Sequence, residues 1–74
     1  MIEKKEIAAQ ISALMLEYGA KLDASVALVR DHCSERELKD YRRAVGEIMG
    51  NMLLEIMNPL YLQHPDLKPA QLRC

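Results

Sequence analysis

The side chains of this chain best suited to chemistry are His32, Cys33, His64 and Cys74, which could ligate zinc or copper, with Asp31 and Asp66 as oxygen donors beside them. Their spacing argues against a shared site. His32 and Cys33 are adjacent, and no C-x-x-C, H-x-x-x-H or E-x-x-H pair occurs. His32 falls where a helix is expected to end, and an imidazolium there interacts favourably with the helix dipole without any ligand. His64 precedes Pro65 and reads as a turn residue. Metal- or redox-responsive chemistry at these four residues is therefore the second reading of the sequence.

Nucleophilic catalysis finds less support. Neighbouring residues on a helix point in different directions, so His32 does not serve as the base for Cys33. Glu47 and Glu55 share a helix face, as a solvated surface commonly does. No glycine loop of the kind that cradles phosphate is present, and the chain is not expected to be an enzyme or to carry a cofactor. Arg36, Lys39 and Arg43 fall at helical steps of three and four and make one basic face. Glu35, Glu37 and Asp40 are interleaved with them, and ten basic residues against eleven acidic ones give a net charge of −1. Nucleic-acid binding by a dimer that duplicates this face is a third and lesser reading.

The elements that must position these residues are helical. With 74 residues the chain has room for a single domain, half of its residues are apolar, and Phe and Trp are absent. Its apolar content is Leu, Ala, Ile and Met, which are mostly strong helix formers. Ile7, Ile11, Leu14, Tyr18, Leu22, Val26 and Val29 make one stripe of a helix over about 4–31. Gly19 could instead end a shorter helix, with Asp23 capping the next. Ser34-Glu35-Arg36-Glu37 has the form of a capping box. It opens a second helix, over about 35–58, whose apolar positions are Leu38, Tyr41, Val45, Ile48, Met52 and Ile56. Asn58-Pro59 is expected to end that helix, because proline disfavours a helical residue before it. Residues 59–74 form a short proline-broken helical tail, with a turn of helix at Pro59 to Gln63 and another starting at Asp66, that packs back on the hairpin through Leu60, Tyr61, Leu62, Leu67 and Leu72, or is partly disordered.

The expected fold is thus all-α, an antiparallel hairpin in one domain of residues 1–74. A pair of helices leaves apolar surface over, and the economical cover is a two-fold partner, giving a homodimeric four-helix bundle. The interface is expected at Tyr41, Val45, Ile48, Met49, Met52 and Ile56, with Gly46 and Gly50 permitting close approach of another helix. Met49, Met52 and Met57 could also line an adaptable docking groove, although a methionine stripe is more often ordinary core. No signal peptide or apolar span of about eighteen residues is legible. Two cysteines far apart suit a reduced interior, so a cytoplasmic protein is expected. The function this construction implies is a small protein–protein interaction module: an adaptor, a chaperone-like protein or an inhibitor subunit.

Overall fold

The computed structural model describes residues 1–70. Helix α1 runs unbroken from Lys5 to His32, 28 residues. Gly19 lies inside it and caps nothing. A short connection leads to α2, Glu35–Asn51, and the expected capping box is formed at its start. The Glu37 amide donates to Ser34 Oγ at 3.2 Å, and the Ser34 amide donates to Glu37 Oε1 at 3.1 Å. These bonds satisfy amides that the first helical turn leaves without partners.

The second helix does not end at Asn58. After α2 the chain stays helical through a π-helical segment, Met52–Met57, and then α3, Asn58–Gln63. Pro59 explains the widened turn. It has no N–H to give the Glu55 carbonyl, and its ring crowds that carbonyl in an ordinary α-turn. The preceding turn opens instead to i→i−5 bonding, seen where the Asn58 amide donates to Leu53 O. The helix therefore passes the proline, and the tail begins at His64 rather than at residue 59. A single 3₁₀ turn, Pro65–Leu67, follows.

The widened turn also changes which residues face inward. An α-turn steps from Met52 to Ile56, whereas a π turn steps by nearly five residues and brings Met57 in. Met57 is buried and Ile56 is half-buried. Leu60 and Tyr61 follow Met57 into the core. They pack with Ala8, and Ile2, Met15 and Leu67 close the cluster around them. Helix α3 and the tail together thus cover the apolar end of the hairpin, through Leu60, Tyr61 and Leu67. Leu62, expected to join them, points outward and is 83% exposed, and Leu72 lies outside the described residues.

On α1 three of the seven residues of the expected stripe turn outward, while Ile11, Leu22, Val26 and Val29 are half-buried as expected. Ala8, Ser12, Met15, Gly19, Leu22 and Val26 are buried or half-buried, while Ile7, Leu14 and Tyr18 are exposed. The small residues at 8, 12 and 19 receive side chains from the facing helix: Ala8 packs with Met57, Leu60 and Tyr61, Ser12 meets the Tyr61 hydroxyl, and Gly19 lies nearest Met49. Two serine–tyrosine bridges join the helices. Ser12 Oγ and Tyr61 Oη are 2.5 Å apart and buried. Ser25 Oγ donates to Leu22 O at 2.6 Å, which uses its one proton, so Tyr41 Oη donates to Ser25 Oγ at 2.7 Å.

The N-terminal segment is clasped to the end of α3. His64 Nε2 donates to Ile2 O at 2.7 Å, and the Met1 amino group donates to Gln63 Oε1 at 2.9 Å. Lys5 forms an ion pair with Asp66. The resulting hairpin measures 44 × 22 × 16 Å, long and thin for its mass.

Candidate docking groove

Midway along the hairpin the two helices leave an open apolar groove of about 660 Å³. Its walls are Met15, Leu16, Gly19, Ala20 and Asp23 from α1 and Met49, Gly50, Met52, Leu53 and Met57 from the second helix, with Pro69 at one edge. The groove exists because of residue size. Gly19, Ala20 and Gly50 lack the side chains that would fill the space between the helices. The four thioethers around it are unbranched and repack easily around different shapes. Leu16 and Leu53, 41% and 37% exposed, stand at its rim. Among the described residues, Asp23 is the one ionisable side chain in the lining.

Within one hairpin neither of the expected close-packing glycines is in contact with a second helix. A Cβ placed on Gly46 or Gly50 would meet nothing within 4 Å. Neither glycine is therefore approached by another helix inside the hairpin, because both lie off the seam, where Val45 is the residue that turns inward. The approach that does occur is at Gly19, where an added Cβ would stand 3.9 Å from Met49 Cε. Gly50 lines the groove and Gly46 is exposed beside it.

The six residues expected at an interface divide between two roles. Val45 is buried in the hairpin itself, Tyr41 is held by Ser25, and Met49 packs toward Gly19. Ile56 gives way to Met57, Met52 lines the groove, and Ile48 is half exposed. Much of the predicted self-interface is thus the seam between the two helices of one chain, which share the same apolar pattern.

The metal-ligand candidates are not brought together. His32 and Cys33 lie at the turn between the long helices, whereas His64 packs against Ile2 at the other end. The length of α1 puts these ends about 40 Å apart. Cys74 lies outside the described residues. Among the described residues, no three His, Cys, Asp or Glu side chains converge as a metal site would require. His64 and Asp66 instead serve the terminal clasp. The Lys5 hydrogen bond, with His64 nearby, holds the Asp66 carboxyl below its ordinary value. The Ser34 amide and then its hydroxyl do the same for Glu37.

On the basic face, Arg43 donates to Glu47 Oε1 at 3.2 Å, an exposed i,i+4 pair. Its charge is thereby partly answered on its own helix. Among the described residues, no helix is long and apolar enough to cross a membrane. Comparison with known protein families, with characterised proteins and with solved structures gives no match.

The sequence pattern did not bring the two walls of the groove together. Met15, Leu16, Gly19 and Ala20 belong to different strips of α1, and only their placement opposite Met49 and Gly50 makes one surface of them. The Ser12–Tyr61 bridge was signalled by a single feature, a serine inside an otherwise apolar run.

Proposed function

We propose that this protein is a small helical interaction module of the adaptor, chaperone-like or inhibitor type, and that it acts by docking a helical surface rather than by catalysis. The observation that carries the reading is the methionine-lined groove, apolar and open, on a hairpin that buries few of its own large side chains. Exposed apolar clefts of this kind are costly to leave in water and serve as contact surfaces. Methionine suits the task because it conforms to a partner's shape with little strain. The exposed free thiol of Cys33 is in keeping with a reducing, cytoplasmic setting.

Oxidative footprinting tests the reading. Methionine sulfoxide formation by hydrogen peroxide is followed by mass spectrometry at Met15, Met49 and Met52, with the exposed Met1 as reference. The chain is treated inside expressing cells and as dilute purified protein. Protection of the groove methionines in cells, with Met1 unchanged, is the expected result. Equal oxidation at every site in both conditions would refute docking through the groove.

A further inference from the structure

We propose that the occupant of the groove is the same face of a second copy of this chain, turned about a two-fold axis so that the two hairpins close into a four-helix bundle. The inference rests on the interaction reading above and names its partner. Surface area is the first argument. A monomeric protein of 8.4 kDa exposes about 4600 Å², and this chain exposes 5571 Å². The surplus, roughly 1000 Å², is close to the ~800 Å² that each partner contributes to a stable interface. The radius of gyration agrees: it is 14.5 Å, against about 11 Å for a compact chain of this length.

Self-complementarity is the second argument. A two-fold interface requires one patch to hold both the projections and the recesses that receive them. The groove face holds both. Leu16 and Leu53 project at its rim, and Gly19, Ala20 and Gly50 form the recess between them. In such a pair the leucines of each copy would seat against the small residues of the other. A net charge of −1 sets no appreciable repulsion against pairing. The open space at Gly50, unexplained inside one hairpin, becomes the place where a partner side chain enters.

Light scattering coupled to gel filtration, with reductant, from about 1 µM to 1 mM tests this. Wild type should run at twice 8.4 kDa, with Met15, Met49 and Met52 becoming protected from peroxide as the dimer forms. Gly50→Leu builds into the recess from a Cβ position that meets nothing within 4 Å in its own hairpin, so the helical circular dichroism of the dilute chain should persist. Its dimer dissociation constant should rise by at least about 30-fold. Leu16→Lys is the second variant, since Leu16 is already partly exposed in the single chain; it should weaken pairing to a similar degree. Leu54→Gln, at an exposed site outside the groove, should leave pairing unchanged. A monomer at every concentration would overturn the second copy as occupant, and the interaction reading would then stand or fall on protection in cells. A dimer that Gly50→Leu and Leu16→Lys leave as tight as wild type would overturn the groove as its seam.

Discussion

Tyr61→Phe removes the hydroxyl that bridges α3 to α1, and its cost can be worked out from the surroundings of Ser12 Oγ. Both residues are buried, 5% exposed each, so neither hydroxyl has ready access to water. Loss of the bond contributes about 1 kcal/mol, and a polar atom left buried adds a further amount of about 1 kcal/mol or more. Ser12 can relieve part of that by turning toward the carbonyl one helical turn back, so the total for Tyr61→Phe is about 1.5 kcal/mol. Ser12→Ala strands the tyrosine hydroxyl instead, a loss of about 2 kcal/mol offset by about 0.5 kcal/mol of better helix propensity. For 74 residues the unfolding entropy is about 155 cal/mol/K, so each single variant should melt about 10 °C lower. The double variant replaces the bridge by two apolar groups of nearly the same shape. It should cost no more than either single change, leaving a coupling of at least about 1.5 kcal/mol. Thermal melts by circular dichroism, at one fixed protein concentration, measure all four forms. Melting-point losses that simply add in the double variant would show that Ser12 and Tyr61 do not depend on each other, and the bridge would have to be abandoned.

Three further expectations follow from local geometry. Ser34→Ala removes the acceptor of the capping box and should lower stability by about 1 kcal/mol in the same melts; no change would mean that the α2 start is held by something else. Asp66 and Glu37 both titrate below their ordinary values in the folded chain. Their contribution is therefore complete above the unfolded carboxylate pKa of about 4 and is lost as pH falls through the lower folded values. Melting temperature should drop on acidification below pH ~4, and Asp66→Asn should flatten that drop; an unaltered slope would contradict the Lys5–Asp66 pairing. Gly46→Ala adds a methyl group where nothing lies within 4 Å. It should raise stability by about 0.5 to 1 kcal/mol through helix propensity alone. A destabilised Gly46→Ala would reveal a helix packed on that face.

Much of the helical layout was legible because it is written in local chemistry. The strong helix formers of residues 5–32 and the Ser34–Glu37 box are statements about backbone bonds within one or two turns, and the structure carries both as read. Pro59 was misread for a reason of the same scale. Proline forbids one bond in an ordinary α-turn, but a helix supported on both sides can widen rather than stop, and a residue-by-residue reading does not weigh that support. An apolar stripe reports burial without naming what buries it. Tyr41, Val45 and Met49 satisfy the pattern equally well against α1 or against another chain.

The sequence by itself determined that the chain is helical, where its long helices begin, and that their faces are more apolar than one hairpin can cover. Periodicity and capping depend on neighbours three or four residues away, and those neighbours are fixed once the order of residues is known. Tertiary structure alone decided which flank of α1 turns inward, that Met57 replaces Ile56 at the core, and that Gly19 and Gly50 open one groove between them. Those outcomes depend on the fit of small residues between two backbones far apart in sequence, and helix packing selects among rotations that the apolar pattern leaves nearly equal.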